Sequence, residues 1–144
     1  MIFTGVIKAG YKMTASVVSL KPGAQPRRRV LVVEDNIDAV HMMATLLRMM
    51  GHEVDFAING LSAIEAARRF KPDLILLDIG LPDFKGDRIA SQLRFEPGLE
   101  KTRIIAITGQ AIDEVEQRAR EAGCEAVYAK PIAPSILEDL LAKS

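Results

Sequence analysis

Five polar residues close four short apolar runs, and their side chains suit phosphoryl chemistry. Glu34 and Asp35 follow Val30–Val33, Asp78 follows Leu74–Leu77, Thr108 follows Ile104–Ile107, and Lys130 follows Ala126–Ala129. Steps of 43, 30 and 22 positions separate Asp35, Asp78, Thr108 and Lys130, so only a fold can gather them. Three carboxylates brought together repel, and one takes a proton unless a cation neutralises them. Oxygen ligands without histidine or thiolate select a hard ion, Mg2+ or Mn2+. An ion held by two or three carboxylates keeps positions open for a phosphoryl oxygen. Lys130 can then share the charge of a phosphoryl group in flight, and Thr108 can donate a hydrogen bond to it. Asp78 ends the most apolar run and is the candidate nucleophile, aspartate being a known phosphoryl acceptor.

Each residue also has a plainer role. Asp35 or Asn36 could cap the helix that follows. Asp78 and Thr108 each precede glycine-containing loops and could be turn residues. Lys130-Pro131 could be a surface loop leading to a helix start. Five such roles coinciding at four strand ends is the weaker account.

The elements that must position these residues alternate regularly. Strands are expected at Val30–Val33, Val54–Ala57, Leu74–Leu77, Ile104–Ile107 and Ala126–Ala129, the third being continuous enough for a central buried strand. Helices are expected over 38–50, 61–70, 87–95, 111–122 and 134–142, with Gly51, Pro72 and Gly123 as stops. Val40, Met43, Ala44 and Leu47 should face inward from the first helix, and Leu61, Ile64, Ala66 and Ala67 from the second. Met42, Met43, Met49 and Met50 read either as core or as a soft contact surface. His41 and His52 read as surface or half-buried helix-end residues, and Cys124 as half-buried. Five strand–helix units imply an α/β fold, a doubly wound five-stranded parallel sheet with right-handed crossovers. Sites in such sheets lie beyond the carboxyl ends of the strands, where all five residues fall. No Gly-x-Gly-x-x-Gly follows the first strand, and no Gly-Lys-Ser/Thr loop occurs, so dinucleotide and P-loop chemistry are unsupported.

Composition narrows the class further. A chain of 144 residues, 49% hydrophobic and 26% charged, makes one domain that needs no disulfide or structural metal. One cysteine and two distant histidines are a poor zinc set. No window is apolar enough to span a membrane, and Lys8 and Lys12 interrupt the only stretch resembling a signal peptide, so a cytoplasmic protein is expected. Net charge is zero but uneven: residues 1–29 carry six basic residues and no acid, and the remainder carries a net −6. Residues 1–28 therefore read as a flexible basic extension before a domain at 29–144. Arg27–Arg29 reads first as a solvated flank, and alternatively as a patch for nucleic acid or acidic membrane. Without an overall basic excess, no nucleic-acid partner is expected.

Val30-Leu-Val-Val-Glu-Asp-Asn36, Pro72-Asp-Leu-Ile-Leu-Leu-Asp-Ile-Gly-Leu-Pro82, Ile105-Ala-Ile-Thr-Gly109 and Tyr128-Ala-Lys-Pro131 together resemble the receiver domain of two-component response regulators. The resemblance covers about Arg29 to Ala142. It implies the flavodoxin-like (βα)5 fold with strand order 2-1-3-4-5. It implies that Glu34 and Asp35 position Mg2+, Asp35 more directly, with Asp78 as phosphoacceptor and metal ligand and the Gly80 carbonyl as a further ligand. Thr108 is then the switch hydroxyl, Lys130 the lysine paired with the phosphoryl group, Tyr128 the switch aromatic, and Pro131 the residue after a cis bond. Phe84 stands where receivers frequently carry methionine, and Gly109-Gln110 replaces a commoner small pair. The Asp-Ile-Gly-Leu-Pro and Thr-Gly forms are similar to receivers of hybrid sensor kinases, or to receivers standing alone.

The implied role is a phosphorelay switch with slow autodephosphorylation, more signalling device than enzyme. Its donor would be a sensor histidine kinase or a histidine phosphotransfer protein. The donor would be met through the first helix, and the effector, another protein, through residues 111–122, 126–129 and 134–142, by a monomer or weak dimer. An aspartate-nucleophile phosphohydrolase would want a second aspartate where Gly80 stands. A flavodoxin-like cofactor protein would want a Ser/Thr-rich loop where Glu34-Asp35-Asn36 stands. A phosphorylation-independent interaction module would not need the acids, Thr108 and Lys130.

Overall fold

The computed structural model describes residues 26–80 and 86–143. Most of the basic N-terminal segment, and Phe84 with its loop, lie outside the described residues. Strands β1 (Arg29–Val33), β2 (Glu53–Ala57), β3 (Leu74–Asp78), β4 (Arg103–Thr108) and β5 (Ala126–Ala129) alternate with helices α1 (Ile37–Met49), α2 (Gly60–Phe70), α3 (Gly86–Arg94), α4 (Ile112–Glu121) and α5 (Pro134–Ala142). The strands pair in parallel in the order β2-β1-β3-β4-β5, as the resemblance implied.

The apolar runs explain the layering. Every residue of β3 is buried, as a central strand covered on both faces requires. Alternation sends Leu31, Ile75, Leu77 and Ala106 to the layer of α2, α3 and α4. It sends Val32, Leu74, Leu76 and Ile105 to the layer of α1 and α5. Gly51 and Gly123 follow the ends of α1 and α4 at φ of 95° and 104°, a conformation only glycine adopts freely.

Several side chains sit differently from the sequence expectation. Asn59 caps α2 by accepting from the Ser62 N–H, so the helix starts at Gly60. Its buried stripe is then Gly60, Ala63, Ala66 and Ala67, while Leu61 is turned aside and 63% exposed. The methionines divide: Met42 is 75% exposed, Met43 half-buried and Met50 buried. His41 is exposed beside the Phe56 ring, as a surface residue should be. His52 is fully buried, and Cys124 is buried under α4 rather than half-buried.

His52 is held by the strand before it in space. Its Nδ1 accepts from the Arg28 N–H at 2.9 Å, and burial, with Arg28 and Arg27 nearby, lowers its pKa. The Arg28 guanidinium then reaches the end of α5, donating to the carbonyls of Leu141 at 3.0 Å and Lys143 at 2.7 Å. Arg28→Ala is expected to lose about 1 kcal/mol for these partly solvated bonds. Thermal unfolding should register a drop of a few degrees, and no drop would show that water replaces the arginine at no cost.

Candidate functional site

The carboxyl ends of β1, β3, β4 and β5 form one rim. Asn36, not Asp35, caps α1, its Oδ1 accepting from the Ala39 N–H at 3.1 Å. Asp35 is thereby left exposed at the rim. Glu34 and Asp78 are buried, each as the last or next residue after an apolar strand run. Carboxylate oxygens of Glu34, Asp35 and Asp78 lie within 4.8 Å of one another. Lys130 extends β5, its N–H donating to the Thr108 carbonyl at 2.8 Å. Its Nζ reaches across to Glu34 Oε1 at 2.7 Å and Asp78 Oδ2 at 2.8 Å. The other oxygen of Asp78 accepts from the Gly80 N–H at 2.8 Å.

Crowding decides the charge states. Burial raises Glu34, and the neighbouring Asp78 raises it further, to about 7 despite Lys130. Burial pushes Asp78 up as well, but hydrogen bonds from Glu34, Lys130 and the Gly80 N–H outweigh it and hold Asp78 below the usual aspartate range. Lys130 loses some basicity to burial and regains more from its two carboxylates, so it stays charged. The cluster therefore favours an ionised Asp78 and a charged Lys130, with Glu34 the carboxyl that keeps a proton to the highest pH.

This arrangement has a pH signature. A carboxyl whose folded pKa is raised contributes stability that is fully present below its unfolded value and lost as pH climbs through the folded one. For Glu34 that window runs from 4.5 to about 7. Metal-free protein should lose melting temperature relative to Glu34→Gln across that interval. Parallel curves for the two proteins would show that Glu34 is not raised.

Thr108 is buried at the end of β4, and its Oγ1 accepts from the Gln110 N–H at 2.9 Å. The turn reading of Thr108 and the rim placement therefore both hold, and the hydroxyl proton remains available. The Lys130–Pro131 peptide bond is cis.

Tyr128 departs from its expected place. It pairs with Ile107 across the β4–β5 ladder and packs half-buried on the layer of α1 and α5. Val127 is the β5 side chain in the layer of α4, paired with Ala106. Thr108, two positions past Ala106, shares that α4 face by alternation. Space vacated behind Thr108 thus adjoins Val127, on the opposite face from Tyr128. The signal is present in the sequence: Val127, not Tyr128, shares the parity of Ala129, which pairs with Thr108 across the ladder.

A parallel five-stranded α/β domain with a lysine-bridged acid cluster at its carboxyl rim defines a class of signalling domain. The chain belongs to that class, the response regulator receiver domain family, whose model matches residues 30–142. The polar-differentiation response regulator DivK of Brucella anthropi is 37% identical over 114 residues, which cover 78% of this chain and 93% of that protein. Chemotaxis protein CheY4 of Vibrio cholerae superposes with a TM-score of 0.74 at 27% identity, covering 80% of this chain and 97% of that one. The receiver domain of a sensor histidine kinase from Pseudomonas aeruginosa, solved with a magnesium ion in its active-site cleft, gives 0.72 at 28% identity, covering 81% and 95%. The chain is thus a two-component phosphorelay domain, and its acidic triad is consistent with the metal site of such receivers. Among the described residues, no helix is long and apolar enough to cross a membrane.

Proposed function

We propose that this chain is a phosphoacceptor switch that takes a phosphoryl group from a phosphohistidine of a kinase or phosphotransfer protein onto Asp78. The observation that carries the reading is the setting of Asp78: buried, and held between Lys130 Nζ and the Gly80 N–H beside two further acids. An Asp78 carboxylate oxygen attacks phosphorus, the bond from phosphorus to the donor imidazole breaks, and that imidazole leaves with the electron pair and takes up a proton. Lys130 stands where it can pass from the carboxylates to the incoming phosphoryl oxygens. Thr108 has a hydroxyl proton to donate to another.

The oxygen-only donor set fits Mg2+, or Mn2+, better than a softer ion. Glu34, Asp35, Asp78 and the Gly80 carbonyl would hold the ion, which when bound neutralises the acids and the phosphoryl oxygens. Burial and Lys130 engage Glu34 more than the exposed Asp35. Asp35→Ala should therefore weaken Mg2+ binding more than Glu34→Ala, by about tenfold against a few-fold. A fluorescence or calorimetric titration with unchanged affinity for Asp35→Ala would count against this ligand set.

Glu34, the glutamate at the rim, is held by Lys130 Nζ and the Asp35 N–H rather than left open to a water, so the aspartyl phosphate should hydrolyse slowly. The test of the whole reading is intact-mass spectrometry. Incubation with Mg2+ and a small acyl or amido phosphate should add one phosphoryl group, and chelation should prevent it without unfolding the domain. A chain left unmodified by donors of both types would sink the proposal.

A further inference from the structure

The two ends of α4 are held differently. At the end remote from the rim the helix runs into Gly123, whose φ of 104° turns the chain toward β5. The Ala122, Gly123 and Cys124 N–H groups donate to the carbonyls of Arg118, Arg120 and Ala119 at 3.0, 3.0 and 2.9 Å, closing the last turn. Arg120 Nη1 adds a bond to the Glu125 carbonyl at 3.2 Å. At the rim end, Ala111 stands at the N-cap with no side-chain hydrogen bond. The connection back to Thr108 runs through Gly109, where a Cβ would meet nothing within 4 Å, and Gln110, whose N–H donates to the Thr108 hydroxyl oxygen.

Arg94 ties the remote end to the rest of the domain. It sits half-buried in the last turn of α3, where a cation offsets the negative helix end, yet the carbonyls it reaches all lie beyond α3. Its Nη1 donates to the Thr102 carbonyl at 2.8 Å, with the Leu99 and Glu100 carbonyls at 3.4 and 3.5 Å. Its Nη2 donates to the Gly123 carbonyl at 3.2 Å. Gly123 also makes room for the arginine, since a Cβ there would stand 3.2 Å from Arg94 Nε. The segment that Arg94 grips is itself fixed. Thr102 Oγ1 donates to the Pro72 carbonyl at 2.8 Å, and the Arg103 N–H donates to the Asp73 carbonyl at 3.0 Å. One guanidinium therefore joins the end of α4 to the chain entering β3 and β4.

We propose that Arg94 is the pivot of α4: a change at Thr108 swings the rim end of the helix about a far end that the guanidinium holds in place. The proposal rests on the reading of Asp78 as phosphoacceptor and adds the form of the motion that follows. A helix moves as a stiff body, and the residues at its ends absorb the change in backbone angles. Movement admitted at the uncapped Ala111 end and refused at Gly123 must appear as tilt rather than sliding. The face offered to a protein partner then changes in the rim half of α4 and stays constant in the half beside Gly123. An arginine with a structural role alone would set the melting temperature without deciding which half responds.

The experiment is amide chemical-shift mapping of the full chain with Mg2+, before and after adding beryllium fluoride as the phosphoryl mimic. In wild type the changes should be large over 109–116 and near background over 119–124. In Arg94→Gln the changes over 119–124 should rise to match those over 109–116. Distance from the mimic alone would give the same fall-off in both proteins. Without any mimic, hydrogen exchange at the Gly123 and Cys124 amides should be faster in Arg94→Gln by roughly tenfold or more. Arg94→Lys keeps the charge and can reach one carbonyl; it should fall between the two, and it carries the test if Arg94→Gln unfolds. Even changes along α4 in wild type, an unaltered fall-off in the variants, or unaltered exchange at Gly123 and Cys124 each overturn the pivot and leave the Asp78 reading standing. A wild-type spectrum that does not respond around Asp78 overturns that reading, and the pivot with it.

Discussion

Asp78→Asn is expected to reduce phosphoryl labelling to background while leaving the domain folded. Asparagine keeps the volume of the side chain, and its amide oxygen can still accept the 2.8 Å bond from the Gly80 N–H. It loses the negative charge and the nucleophilic carboxylate oxygen. Lys130 then faces Glu34 alone at 2.7 Å; burial still raises Glu34, but the further rise due to Asp78 is gone. Glu34 should accordingly ionise at lower pH in the variant, and one buried ion pair remains. The net change in stability should be small, within about 1 kcal/mol, because a lost attraction and a lost repulsion offset. Labelling at wild-type level would move the acceptor elsewhere, with Asp35 the nearest exposed carboxylate to examine.

Thr108→Ala should separate acceptance from response. The nucleophile, the acid cluster and Lys130 do not depend on the Thr108 side chain, so labelling should proceed at a similar extent. The hydroxyl, however, closes β4, and it now accepts from the Gln110 N–H. A phosphoryl group adds charge and acceptor oxygens that can draw the hydroxyl inward. Its departure opens the face shared with Ala106, Val127 and α4. Amide chemical shifts across 111–129 should change on adding a phosphoryl mimic to wild type, and most of that change should vanish in Thr108→Ala. Tyr128→Ala provides the control that the fold demands. Because Tyr128 packs toward α1 and α5, its removal should leave the α4 response nearly intact. Equal responses in wild type and Thr108→Ala would show that Thr108 is not the relay, and loss of the response in Tyr128→Ala would restore the aromatic to that role.

The topology was legible because each apolar run is short, bounded by glycine, proline or an acid, and separated from the next by helical periodicity. Asp78 and Lys130 were legible for the same reason: each ends its run, and in a parallel sheet run ends share an edge. What the sequence left open was the side on which a residue falls. Strand alternation has a period of two, so one position separates Val127 in the α4 layer from Tyr128 in the α5 layer. Chemical character pointed at the tyrosine, and register pointed at the valine. Leu61 illustrates the helical counterpart, since a cap at Asn59 rotates the buried stripe by one residue and leaves the leucine outside. The choice between Asp35 and Asn36 as cap was equally local, settled by one hydrogen bond to Ala39. The burial of His52 depended on a partner 24 positions earlier in sequence, which no local pattern displays.

Cys124 sits beneath α4 at the entrance to β5, shut off from solvent. As the chain's lone thiol, it makes the protein its own clock for opening at that place. A maleimide in solution can react only during excursions that uncover the turn between α4 and β5. When reclosing outpaces the chemistry, the modification rate scales with the open population rather than with the speed of opening. Plotted against reagent concentration, that rate would give the free energy of the excursion without any engineered label. Comparing it with and without a phosphoryl group would show whether the modified domain holds α4 more tightly or lets it breathe.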